Sequence, residues 1–210
     1  MSAPIIQLTE LAIIKNHLKT ARNAWRKLIP DSSNTARLYE QLDSPTLLEL
    51  RAYPTWPNLF DTAPERRELW ETLSQYAEGD FRRELLTYIE EPKPIDTPLP
   101  DTANLELRRV EVRPPQYDDY RAWRNRTIFD VVRAAPEVST FSAYHTVFST
   151  HPGVLFLSGF DGSLNDYRQV FSSARYRQIV QAAGAKYITR GEQGLEDRKS
   201  TRLNSSHVKL

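Results

Sequence analysis

The sequence predicts an α+β fold made of two tandem β-α-β-β-α-β units, on three observations. First, a proline-dense stretch, EPKPIDTPLPDTA at 91–103, splits the 210 residues into two parts of similar size. Proline at this density does not sit in a helix interior or a central strand, so the stretch reads as an extended linker. Second, strand-like and helix-like segments follow the same order on both sides of it. Third, two spaced segments match between the halves. LLELRAY lies over VLFLSGF at an offset of 107, with Pro45 over Pro152, and TAPERRELW lies over SSARYRQIV at an offset of 110.

In the first half, IIQLTELAIIK has strand composition. NHLKTARNAWRKLI is helix-forming, with Asn16 as cap and Pro30 as stop. ARLYEQL and LLELRAY flank DSPT, a turn signal, and read as a hairpin. Pro64 opens a helix whose Leu69, Trp70, Leu73, Tyr76 and Ala77 share a face, Gly79 stops it, and FRRELLTYIEE is a last strand. In the second half, NLELRRVEVR is a strand and QYDDYRAWRNRTIFDVVRAA a helix. STFSAYHTVFS and GVLFLSGF form a hairpin around THPG. LNDYRQVFSSARYRQIVQAA is a helix stopped by Gly184, and AKYITR is a final strand. Each half is then a ferredoxin-like unit with two helices on one sheet face. The other face needs cover, since exposed apolar area forgoes about 25 cal/mol per Å² of burial, and a second unit is the simplest cover. The expected architecture is therefore two units packed sheet to sheet as an intramolecular α+β barrel, monomeric with an internal pseudo-dimer.

Residues 197–207, DRKSTRLNSSH, are similar to the in-frame translation of a common sequencing-library adapter, and 197–210 are expected to be an artefact tail. The expected division is 1–90, a linker at 91–103, 104–196, and that tail. The tail carries Arg198, Lys199, Arg202 and Lys209 against Asp197, a net +3 in a chain of +1. Residues 1–196 hold 24 basic and 26 acidic groups, a net −2. A near-neutral body gives no electrostatic case for nucleic acid or acidic membrane surfaces. Mean hydropathy is −0.58, and no apolar run reaches membrane-spanning length. With no cysteine and no secretory signal at MSAPIIQLTE, a cytoplasmic protein is expected.

This element order, with a Ser/Thr-x-(Pro/Ala)-x-x-Arg start to the later helix of each half, resembles the dimeric α+β barrel superfamily, which includes antibiotic-biosynthesis-type monooxygenases and NIPSNAP-like proteins. The resemblance covers about residues 5–190, as two units fused. It implies a ligand cavity between sheet and helices, and cofactor-independent oxygenation as the activity. A non-catalytic ligand-binding protein and a NIPSNAP-like partner-binding module are the alternatives. In the haem-degrading branch a histidine contacts haem; at the matching positions stand Leu59, Leu69, Gln169 and Ile179, so the resemblance implies no haem, and no cofactor is expected.

Pairing Leu42 with Leu47 and Ser149 with Val154 puts Tyr39, Leu48 and Leu50 on one face, and Tyr144, Thr146, Leu155 and Leu157 on the matching face. This apolar face is expected under the helices. Tyr39, Tyr144 and Thr146 are then polar hooks in a small-molecule pocket, with Trp123 or Trp70 as walls. Each also reads as ordinary core with its hydroxyl satisfied locally. His145, mid-strand, is the candidate general base for catalysis; its other reading is a structural histidine bonded to Ser158. The histidines lack HxxxH spacing, so no metal site is expected. Asp118, Asp119 and the arginines 121, 124, 126 and 133 read as a solvated helix face.

Overall fold

The computed structural model describes residues 1–30, 33–56, 63–149, 151–191 and 195–202. The mixed α+β fold is built on eight antiparallel strands: β1 (Ile5–Ala12), β2 (Ala36–Gln41), β3 (Thr46–Tyr53), β4 (Arg82–Lys93), β5 (Asn104–Val110), β6 (Thr140–Phe148), β7 (Val154–Phe160) and β8 (Leu195–Arg202). They close into a barrel in the order β1-β3-β2-β8-β5-β7-β6-β4. Among the described residues the helices are α1 (Leu18–Lys27), α2 (Ala63–Leu73), α3 (Tyr117–Asn125), α4 (Ile128–Ala134), α5 (Leu164–Ser172) and α6 (Ala174–Lys186).

The strand registers repeat. Gln7 faces Arg51 on the β1–β3 pair, and Glu106 faces Ser158 on β5–β7, at offsets of 99 and 107. Tyr39 faces Leu48 and Tyr144 faces Leu155, at offsets of 105 and 107. The two seams also agree: Gln41↔Ser200 on β2–β8 maps onto Thr146↔Leu86 on β6–β4. One set of four offsets maps most of the strand pairs of the first half onto pairs of the second, and the β4–β6 seam departs from it at its bulges.

Both hairpins keep the expected division of residues between faces, with registers shifted by an even number. Leu38 faces Glu49 rather than Arg51, and His145 faces Val154 rather than Ser158. The orientation of the faces is the reverse of the expectation. Ile6, Leu8, Tyr39, Leu48, Leu50, Leu86, Leu105, Leu107, Tyr144, Leu155 and Leu157 fill the barrel interior as one cluster. The aromatic face, with Phe141, Phe156 and Phe160, meets the helices. When both faces of a sheet are buried, apolar alternation no longer says which one looks inward.

Both ends of the barrel are closed. At one end Leu99, fully buried, joins the interior cluster. There the Tyr39 hydroxyl donates to Pro100 O at 3.4 Å, Tyr144 to Ala3 O at 3.1 Å, and the Ala3 amide to Pro98 O at 2.9 Å. At the other end Arg109 of β5 reaches Glu84 of β4 with two bonds of 2.8 and 2.7 Å. The proline-rich segment thus contributes core, and β4 runs through Pro92 to Lys93, tolerated because its pairing with β6 is bulged there.

The final strand lies elsewhere than expected. AKYITR does not pair as a strand; α6 continues through Gly184 to Lys186, and only Ile188 bridges back, to Val112. Alanines around a buried helical glycine sustain the helix. The strand between β2 and β5 is instead Leu195–Arg202, which includes Asp197–Arg202 of the segment set aside as a tail. Two bare strand edges demand a main-chain partner, and edge pairing asks little of side-chain type. Each long helix of the second half is also broken, at Arg126–Thr127 and at Ser173, whose hydroxyl accepts from the Tyr176 amide to cap α6.

Gly153 in the β6–β7 turn has φ +118°, and a Cβ there would be driven into the Val110 carbonyl. Gly153→Ala is expected to lower the urea midpoint by an amount worth about 2 kcal/mol or more, from backbone strain and overlap together. An unchanged midpoint would show that the turn relaxes freely.

Candidate functional site

A cavity of about 290 Å³ lies between the sheet and helices of the second half, near the small end of the range that holds drug-sized ligands. Strand β5 supplies Arg108, β6 Phe141 and β7 Phe156; Tyr120, Phe171 and Tyr176 come from α3, α5 and α6. Alternation on the strands puts Arg108, Phe141 and Phe156 on the helix-facing side. Exposed Arg177 and Gln181 of α6 form the mouth.

One end of the cavity carries a polar network. Arg108 lies with its guanidinium carbon 3.7 Å from the Phe171 ring centre, donates to the Tyr176 hydroxyl at 3.1 Å and pairs with buried Glu106. The Tyr167 hydroxyl is 2.7 Å from both Glu106 Oε2 and Ser158 Oγ; with one proton it donates to the carboxylate and accepts from the serine. Burial, then the Glu106 charge, pushes the Tyr167 phenol up. Its ring stacks on Phe160 at 3.9 Å.

Behind the Tyr120 and Phe156 wall, and outside the cavity lining, lies Arg124, which has no solvent exposure. Its guanidinium carbon lies 4.9–5.2 Å from the ring centres of Phe129, Tyr120 and Phe156. Glu90 pairs with its NH2, and Arg121 is 3.6 Å from the same carboxylate oxygen. A bulge in β4 sets Glu90 opposite Ala143, on the helix side. The Tyr120 hydroxyl and Arg124 Nε and NH1 are sealed from solvent without a hydrogen bond of ordinary geometry. Burial pushes the Tyr120 phenol up, against the pull of the neighbouring Arg124.

The residues singled out in the sequence fall elsewhere. Tyr39 and Tyr144 are buried in the barrel interior with their hydroxyls on main-chain carbonyls. Thr146 closes the β6–β7 turn through its bonds with Gly153. His145 is exposed, its Nδ1 2.9 Å from Thr146 O and its ring edge-on to Tyr117. Trp123 packs 5.2 Å from Tyr187 and 6.2 Å from Tyr120, behind the cavity wall. None of these five lines the cavity. Arg124, read as solvated, is the most deeply buried charge of the helix; the Tyr117–Tyr120–Arg124 spacing on one helical face was the available signal.

A small cavity of about 40 Å³ lies in the first half, lined by Gln7, Glu49, Arg51 and Leu69 among others. Fully buried Trp25 occupies the space under its helices and donates to Glu49 at 2.9 Å. Under the strand offsets Glu49 corresponds to Phe156, so a tryptophan over a carboxylate in one half stands where an arginine over a phenylalanine stands in the other.

No protein-family model and no curated protein sequence matches the chain. Solved structures do. A candidate monooxygenase from Fusobacterium nucleatum superposes with a TM-score of 0.72 at 12% identity, over 97% of this chain and 94% of that one. An anthrone oxidase-like protein gives 0.70 at 9% identity, over 95% and 91%. A haem-degrading enzyme from Listeria monocytogenes gives 0.54 at 8%, over 94% and 98%. These likenesses establish the α+β barrel fold of monooxygenase-like proteins, and at such identities nothing of chemistry. The cavity lining includes tyrosines but no histidine, cysteine or methionine, the commoner haem-iron ligands. No cluster of three metal-ligating side chains occurs among the described residues, and no described helix is long and apolar enough to cross a membrane.

Proposed function

We propose that the chain is a fused pair of ferredoxin-like units in which the second unit binds a small aromatic molecule, in the manner of cofactor-independent monooxygenases. The repeating registers support the fusion. The observation that carries the ligand reading is the aromatic-walled cavity between the sheet and helices, with buried Tyr120 on its wall. The first unit, filled by Trp25, serves as scaffold. Oxygenation of an activated aromatic suits such a site because the substrate supplies the electrons; anthrone and dioxygen give anthraquinone and water, and the protein contributes positioning. Binding without turnover is the second reading, favoured by the nearby carboxylate of Glu106 being committed to Arg108 and Tyr167.

Oxygen uptake with anthrone is expected to exceed the spontaneous rate, and Val180→Trp, which fills the cavity, is expected to remove the excess. Uptake at the spontaneous rate with anthrone still bound would select the second reading. No binding of anthrone, or binding and uptake indifferent to Val180→Trp, would move the site out of this cavity.

A further inference from the structure

Resting on the reading of this cavity as a ligand site, we infer that its occupant is an aromatic acid that enters ring first and leaves its carboxylate at the mouth, beside Arg177 and Gln181. The two halves of the chain supply the comparison. At the offset of 110 that lays TAPERRELW over SSARYRQIV, Arg177 stands on Arg67 and Gln181 on Glu71. In the first half Arg67 donates to Glu71, one helical turn on, at 3.1 Å. In the second half the arginine is kept and its acid is replaced by a neutral amide. Arg177 makes no ion pair among the described residues. The exchange falls where the cavities differ: Arg177 and Gln181 line the larger one, whereas Arg67 and Glu71 lie outside the lining of the small one.

The rest of the lining carries the same bias. Glu49, Glu65 and Glu68 line the small cavity, and no carboxylate lines the larger one, whose arginines are Arg108, Arg109 and Arg177. Arg108 is answered by Glu106 and Arg109 by Glu84, so the uncompensated charge is the one at the mouth. Helix α6 bears Arg175, Arg177 and Lys186 and no acid, whereas α2 sets Glu65, Glu68 and Glu71 against Arg66 and Arg67. A field of one sign over an apolar opening draws anions and repels cations. The ring goes inward because Phe141, Phe156, Phe171 and Tyr176 present aromatic surface there. The carboxylate stays at the rim, where it keeps part of its hydration and escapes the cost of full burial. A guanidinium and an amide one turn apart offer N–H donors to its two oxygens, in the place that Glu71 takes beside Arg67.

Calorimetric titration of the full chain at neutral pH with 2-naphthoate and with 2-naphthamide, its neutral and nearly isosteric counterpart, tests this. At about 20 mM salt the acid is expected to bind about three- to fivefold tighter, the upper scale of an exposed ion pair, and at about 0.5 M salt the two affinities should converge. Gln181→Glu gives α6 the pair that Arg67 and Glu71 make, and should bring the low-salt ratio to about one or below. Each ratio is taken within one protein, so a general change in the cavity cancels, and the salt series needs no variant. Equal affinities at low salt, or a preference that survives either high salt or Gln181→Glu, overturn the acid at the mouth and leave the cavity as a ligand site. Binding of neither probe overturns both.

Discussion

Glu90→Gln is expected to destabilise the protein by about 3 kcal/mol, because it leaves a fully buried guanidinium without its counter-charge. Glutamine keeps the shape and one acceptor oxygen, so the loss is electrostatic rather than steric. Arg124 is enclosed by three aromatic rings and has no route to water. Urea unfolding followed by tryptophan fluorescence measures the change. The control is Arg124→Met combined with Glu90→Gln: an apolar side chain of similar length restores most of the lost stability, since exchanging a buried ion pair for well-packed apolar groups is often neutral. A Glu90→Gln midpoint equal to that of the parent would mean that Arg121 or solvent already screens the site.

Alkaline conditions are expected to unfold the protein steeply. Burial raises the phenols of Tyr120, Tyr144 and Tyr167 above their ordinary value of about 10. In the folded state these groups hold their protons to higher pH than in the unfolded chain. Their contribution is intact below about pH 10 and falls as pH rises past it, because there the unfolded chain binds fewer protons. Each phenol adds at most about 1.4 kcal/mol per pH unit, and three together about 4. Urea midpoints should hold level to about pH 9.5, apart from the smaller effect of lysines, and then collapse. Tyr144→Phe should shave one group's share from the slope. Spectrophotometric titration in which all ten tyrosines of the native chain ionise near pH 10 would contradict this.

Local chemistry made much of this fold legible. The runs ARLYEQL, LLELRAY and VLFLSGF become β2, β3 and β7 because branched and aromatic side chains between turn residues have few other options. Parity along each hairpin sorted side chains into two sets correctly, since a shift by an even number leaves every residue on its own face. The inside and outside of the barrel were not legible, and the candidate site suffered for it: Tyr39 and Tyr144 were sought under helices and lie within the barrel. Arg124 escaped because a charge on a mixed-sign helix reads as solvated until its partner is known. That partner, Glu90, arrives from a strand 34 positions earlier through a bulge no pattern announces. The long-helix readings passed over Thr127 and Ser173, whose side chains bond to nearby backbone and so compete with helix continuation.

The stoppered ends of the barrel keep its packed interior apart from the cavity under the helices. With leucine, proline carbonyls and tyrosine hydroxyls corking one opening and an arginine–glutamate clasp across the other, there is no axial bore to travel. The cavity under the helices opens beside Arg177 and Gln181 instead, so a molecule held there never enters the barrel.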